Sequence, residues 1–360
     1  MSIQAPSPLK AAKFRIGLTG DFFRNGTPVY PDFDPGVLEH APGIKVSTFP
    51  EHAEEITPEQ LAGLHGVIVL TPRVTRHSLS QSQELLAISR FGVGYDSVDV
   101  AACTENDVAL CITSGVVDRP MAEATVGWML ALAYRIPAKD RQMRDARWDQ
   151  RGLIMGTGLH GRTVGIIGFG GIGRSVAGML SGFGMNRPLV YDPGVAQETI
   201  AAHGAQSVNL PYLMASSDFI TMHCPLNPQT ENLISAAELD LMKPDAFILN
   251  TARGGIMNED ALFDALAARR IAGAALDCFT GEPITNRHRF ADLDNIILAP
   301  HNIGWTRELF RDIGAMACRN LLDLAHGKYP ATVVNPEVFQ RPSFQKKWES
   351  VRIDQRTPQE

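Results

Sequence analysis

Residues 165–174 read GIIGFGGIGR, and the glycines at 168, 170 and 173 have the spacing GxGxxG. Nothing else in this chain of 360 residues restricts its fold as much. Glycines also serve ordinary turns, so the spacing alone decides little; its surroundings decide more. An apolar run, residues 164–167, leads straight into it, and the helical pattern IGRSVAGMLSGF follows. A second apolar run, RPLVY, ends at Asp192, 19 residues after Gly173. Strand, glycine turn, helix, strand and acid, in that order, spell a dinucleotide-binding β-α-β unit. In such a unit Gly168 permits the tight turn and Gly170 lets the backbone approach a pyrophosphate. Gly173 lets helix and strand pack closely, and the helix N-terminus faces the anion. Gly171 and Ile172 supply backbone at that N-terminus, and Arg174 could steady a phosphate. Asp192 would accept hydrogen bonds from the adenosine ribose and repel a 2′-phosphate, which favours NAD over NADP.

The motif lies mid-chain, and strand signals occur on both sides of it. After residue 163 the runs TVGIIGFG, RPLVYD, DFITMHC, AFILN, AGAALD and NIILAP alternate with helical stretches, including 171–184 and 258–270. That rhythm predicts a doubly wound parallel sheet. Earlier, KFRIGLTG, GIKVSTF, GVIVL and VALCI read as strands, with Thr57-Pro58-Glu59 as a helix start. Two α/β domains are therefore expected, as the length also suggests. A long apolar helix is expected over 119–136, starting at Pro120. Residues 137–160, with Arg141, Arg144, Arg147, Trp148 and Arg151, read as an exposed arm, either a dimer contact or a connector. A helix over about 306–326 precedes a polar end, QRPSFQKKWESVRIDQRTPQE, expected to be flexible.

The net charge of -6 gives no basic footprint, so nucleic acid is not expected as a partner. No apolar run nears the roughly 18 residues that span a bilayer, and MSIQAPSPLKAAK has no signal-like apolar core. The five scattered cysteines form no CxxC pair; buried, inert thiols in a reducing compartment are expected, without a metal centre. A cytoplasmic location follows.

Hydride transfer to a ketone needs a cation for the substrate carboxylate and an acid for the forming alkoxide. LNTARGGIMNED places Arg253 just past a strand, where open α/β sheets bind ligands. A guanidinium there can grip a carboxylate by two hydrogen bonds. LDCFTGEP places Asp277 at the next strand end and Glu282 in the loop after it, and ILAPHNIG places His301 past the last strand. A carboxylate beside a histidine stabilises its imidazolium, and Glu282 is the natural partner.

With these residues in view, the chain resembles the D-isomer-specific 2-hydroxyacid dehydrogenases. The resemblance runs over about residues 13–336. It rests on RFGVGYDSVD (90–99), AEATVGWMLAL (122–132), GRTVGIIGFGGIGR (161–174), HCPLNPQT (223–230), LNTARGG (249–255), GEP (281–283) and APHNIG (299–304). It implies a Rossmann coenzyme domain (121–303) inserted into a flavodoxin-like α/β catalytic domain (1–120 and 304–336), with a polar tail over 337–360. Hinges would fall near 119–121 and 303–306, and closure would exclude water from the hydride path. Arg253 would orient a 2-oxo acid, His301 would be the acid/base, and Glu282 would hold its charge state. Asp277 would contact the nicotinamide carboxamide and Thr125 would lie near the nicotinamide. Pro225, Thr230, Thr251 and Ala252 would border the cofactor. The backbone at Val93 and Gly94 would receive the substrate carboxylate. His223 could touch the chemistry or merely precede the strand-end proline. The family is commonly dimeric, so a homodimer acting on a small 2-oxo or 2-hydroxy acid is implied.

Several features leave the substrate open. Arg73 stands where a second anionic group would be read, or is a surface arginine. Trp305 lines the substrate pocket or packs at a hinge. The insertion 21–34 overhangs the site or is a surface loop. A reading from a different class is an NAD-sensing binding module resembling the C-terminal-binding-protein corepressors, which share the Arg-Glu-His set.

Overall fold

The computed structural model describes residues 14–353; MSIQAPSPLKAAK and residues 354–360, for which expectations were stated above, lie outside the described residues. The chain divides into two compact units. One joins the residues up to Val117 to those from Thr306 onward, and the other runs from Asp118 to Trp305.

The first unit holds a parallel sheet of β1 (Phe14–Leu18), β2 (Ile44–Thr48), β3 (Gly66–Val69), β4 (Ala87–Arg90) and β5 (Ala109–Cys111). Their order, β2-β1-β3-β4-β5, is the flavodoxin-like one. Strand β3 is buried throughout, as a parallel strand covered on both faces must be. Strand β4 was not among the expected strands, because Ser89 and Arg90 interrupt its apolar run. Ser89 is nonetheless fully buried and donates to the Ala317 carbonyl at 3.0 Å. Thr57 caps the short helix Pro58–Leu61, with Gln60 completing a capping box. The insertion folds as a hairpin, Phe23–Arg24 against Thr27–Pro28. Buried Phe22 and Phe33 pack on Phe91, and Tyr30 stacks on Phe310 at 4.4 Å, so aromatic contacts fasten the insertion to its own unit.

The second unit holds β6 (Val164–Ile167), β7 (Leu189–Tyr191), β8 (Gln206–Ser207), β9 (Phe219–Met222), β10 (Phe247–Asn250), β11 (Gly273–Leu276) and β12 (Ile296–Leu298). All pairs are parallel, in the order β8-β7-β6-β9-β10-β11-β12 of a doubly wound nucleotide-binding sheet. The six strands expected after residue 163 are present; the edge strand β8, two residues long, has no run to announce it. Helix α1 (Asp118–Ala133) packs against helix α2 (Gly171–Leu180) through a shared core that includes Ala122, Met129, Val176 and Leu180.

Two expectations are corrected. The 137–160 arm is not a loop throughout: Ile136–Arg144 is an α-helix and Trp148–Leu153 a 3-10 turn. Pro137 sits in its first turn, and Arg144 pairs with Asp140 one turn back, while the glycines begin only at Gly152. The tail is helical over much of its described length. After α3 (Arg307–Ala325) the chain forms α4 (Pro342–Val351), whose Phe344 and Trp348 are buried. These lie four residues apart, on one helix face, and Trp348 Nε1 donates to the Leu324 carbonyl at 2.7 Å.

Candidate active site

Strand β6 lies between β7 and β9, so the glycine loop emerges from the interior of the sheet. Gly168 has φ +90°, and a Cβ there would come within 2.6 Å of the Cys224 nitrogen. A Cβ on Gly173 would collide with the Gly168 carbonyl. Gly170, by contrast, faces open space, and as the N-cap of α2 it provides no side-chain cap. The loop is thus tight on the protein side and open at Gly170, where the helix N-terminus fits a pyrophosphate, while the Asp118 carboxylate stands against Gly171. Asp192, just past β7, braces it: Oδ2 accepts from Phe169 N at 2.7 Å and Oδ1 from Gly194 N at 2.8 Å. Each oxygen keeps a lone pair for a ribose hydroxyl. Arg174 donates through Nε to the Gly170 carbonyl at 3.2 Å.

The turn after β9 is closed by Thr230 Oγ1 donating to the Pro225 carbonyl at 2.6 Å. After β10, Asn250 organises residues 251–253: its Oδ1 accepts from Ala252 N at 3.0 Å, and its Nδ2 donates to the Arg253 carbonyl at 2.7 Å. Asn250 was not singled out from the sequence; a buried amide at a strand end is the signal that could have found it. Thr125 is fully buried, donates to the Met121 carbonyl at 2.8 Å and lies 3.4 Å from Thr251 Oγ1.

Asp277 follows β11 and is buried. Its Oδ1 accepts from Asn302 N at 2.8 Å and Ile303 N at 3.1 Å, and its carbonyl accepts from His301 N at 2.8 Å. Burial pushes its carboxyl above the ordinary range, against the two N–H groups that favour its charge. His301 adopts the left-handed conformation, φ 54°, unusual for a side-chain-bearing residue. Its Nδ1 lies 2.6 Å from Glu282 Oε2, while Glu282 Oε1 accepts from Phe279 N at 2.7 Å. Burial works against the Glu282 charge. The His301 and Phe279 hydrogen bonds and the charges of His301 and Arg253 outweigh it, holding the carboxyl below its ordinary range. Arg253 donates to the Ala252 carbonyl at 2.7 Å.

His223 is bonded to Thr221 Oγ1 at 3.0 Å, and burial pushes it down to about 3, so it is neutral near neutral pH. Trp305 is half exposed, and its backbone N–H donates to the Asn302 carbonyl at 3.0 Å. Arg73, Val93 and Gly94 belong to the first unit. The exposed Arg73 is held through its backbone by Glu54 and Ile56, and Val93 and Gly94 are partly buried in the turn after β4.

The sequence pattern of the D-isomer specific 2-hydroxyacid dehydrogenase NAD binding domain matches residues 126–302. A glyoxylate reductase of Thermococcus litoralis is 35% identical over 279 residues, 76% of this chain and 84% of that one. The chain belongs to the D-isomer specific 2-hydroxyacid dehydrogenase family. This family member also shares 36% identity over 298 residues with rat D-3-phosphoglycerate dehydrogenase, 82% of its own length but 55% of the relative's. It thus spans about half the length of the phosphoglycerate dehydrogenases it matches. The crystal structure of a 2-hydroxyacid dehydrogenase from Ketogulonicigenium vulgare Y25 superposes with a TM-score of 0.75 at 28% identity, covering 90% of this chain and 98% of that one. This dehydrogenase uses NAD and carries out the NAD-dependent 2-hydroxyacid dehydrogenase reaction of its family. No helix among the described residues is long and apolar enough to cross a membrane.

Proposed function

We propose that this dehydrogenase reduces a small 2-oxo acid to the D-2-hydroxy acid, with His301 as the acid and Glu282 as its charge partner. The observation that carries the reading is the 2.6 Å contact between His301 Nδ1 and Glu282 Oε2. When bound at the 168–173 loop, NADH supplies the hydride. Arg253 pairs with the substrate carboxylate and fixes the carbonyl for attack. His301, oriented through Nδ1, donates a proton from Nε2 to the forming alkoxide, and the reverse reaction returns it. Ionised Glu282 stabilises the imidazolium before transfer. Asp277 is a positioning residue, because its carbonyl and carboxyl hold the 301–303 backbone. It is also the group to meet the nicotinamide carboxamide. Asp192 sets the preference for NAD over NADP.

The reading also assigns cofactor contacts to Gly168–Arg174, Pro225, Thr230, Thr251, Ala252 and Thr125, and substrate contacts to Arg73, Val93, Gly94 and Trp305. We assign the coenzyme to the second unit and infer a homodimer through the 134–155 segment, where Tyr134, Ile136, Met143, Trp148, Leu153 and Met155 are exposed. The test is NADH oxidation against glyoxylate, hydroxypyruvate, phosphohydroxypyruvate and branched or sugar-derived 2-oxo acids. Turnover of at least one, with a D-configured product where the product is chiral, is expected. Tight NADH binding without turnover of any would overturn the reading. If a phosphorylated substrate is preferred, Arg73→Ala should raise its KM and leave that of glyoxylate unchanged.

A further inference from the structure

Cys278 follows Asp277 at the end of β11 and is buried near the His301–Glu282 pair. One donor atom each of Cys278, Glu282 and His301 lies within 4.8 Å of the other two. The thiol residue is buried, whereas the imidazole and carboxylate side chains are 44% and 30% exposed, so two of the three donors are open to an ion from solvent. We propose that these residues form a binding site for a thiophilic divalent cation, Zn2+ foremost. Sulfur, nitrogen and oxygen donors in this number suit a zinc ion that keeps its fourth position for water. Tetrahedral zinc holds its donors about 3.3 to 3.8 Å apart. The 2.6 Å His301–Glu282 contact would open by about 1 Å, and the spacings to the thiol, at most 4.8 Å, would close by no more than about 1.5 Å, a side-chain adjustment. The thiol donates to the Ala252 carbonyl at 3.4 Å, a long contact that a metal–sulfur bond would replace. Binding forms Zn–S, Zn–Nδ1 and Zn–Oε2 bonds; the thiol proton and the Nδ1 proton shared with Glu282 leave to solvent, and no oxidation state changes.

The site stands on this geometry alone. Its consequence, inhibition, rests on the acid–base reading above: a metal bonded to both imidazole and carboxylate leaves that pair unable to pass a proton. This cation would be an inhibitor, not a resident cofactor.

Co2+ is the direct probe, because a cobalt–thiolate bond gives a charge-transfer band in the near ultraviolet. Chelator-treated full-length protein should develop that band with one equivalent of Co2+ and lose it on addition of Zn2+. Cys278→Ser should show no band, and its half-inhibitory Zn2+ concentration should rise by at least about tenfold. Unchanged NADH binding and thermal unfolding would show that the variant is folded; Cys278→Ala provides a second one. A band that persists in either folded variant, or no band in the wild type, would overturn the site. A band with undiminished NADH oxidation would leave the site standing and overturn the acid–base reading instead.

Discussion

His301 has the conformation of a residue held in place by its surroundings. Its left-handed backbone is fastened by Asp277 on one side, and its ring by Glu282 on the other. Because Glu282 is held below its ordinary range, it stays ionised through neutrality. A carboxyl whose pKa is lower folded than unfolded adds stability that is complete above the unfolded value, near 4.5, and is lost as pH falls through the folded one. The reduction rate should therefore show no loss attributable to Glu282 until the pH drops below about 4.5. Glu282→Gln should lower kcat by about 100-fold or more at every pH. A pH profile of kcat for both proteins checks this, and an unchanged kcat would remove Glu282 from the chemistry. At Asp192 two roles meet, since the same carboxylate braces Phe169 and faces the ribose position. Asp192→Ala should reduce the NAD-over-NADP ratio of kcat/KM by about tenfold, some 1.4 kcal/mol, and weaken NADH binding as well. An unchanged ratio would mean that another group sets the preference. The Arg253, Glu282 and His301 positions were legible in the sequence because each follows a recognisable strand. The link from Asp277 to the Asn302 and Ile303 amides was not, because the partners are 25 and 26 residues apart and only the folded loops bring them together.

At the scale of elements, legibility follows burial. Strands β6, β9, β10 and β11 are buried throughout and read as apolar runs, interrupted only by Thr221 in β9 and ended by Asn250 in β10. Strand β4 hid behind Ser89, whose hydroxyl is satisfied by a carbonyl from α3 far along the chain. Helix α4 hid for a similar reason. Only Phe344 and Trp348 among its many polar residues are buried, and a pair four residues apart is a weak signal until a partner surface is known. That pair fastens the chain end to the first unit. Trp348→Ala should therefore destabilise the protein by about 3–5 kcal/mol in denaturant unfolding. A loss below about 1 kcal/mol would show that α4 is only loosely held.

On the scale of the molecule, the chain leaves the first unit after Val117, completes a second sheet, and returns at Thr306. The mid-chain position of the glycine motif is explained by this path, whereas the full sheet orders needed β4 and β8, which no apolar run announced. Oligomeric state is set by surface, which periodicity does not reveal. Light scattering should give about twice the 39.2 kDa chain mass, and Trp148→Glu with Leu153→Glu should give the monomer. A wild-type monomer would contradict the dimer. The proposed reduction depends above all on one proton donor, His301. Steady-state NADH oxidation with the best 2-oxo acid, measured for wild type and His301→Gln alongside NADH affinity by fluorescence, tests it most directly. The expected result is a kcat lower by about 100- to 10,000-fold with NADH affinity within about twofold. Turnover at the wild-type rate in His301→Gln would contradict it.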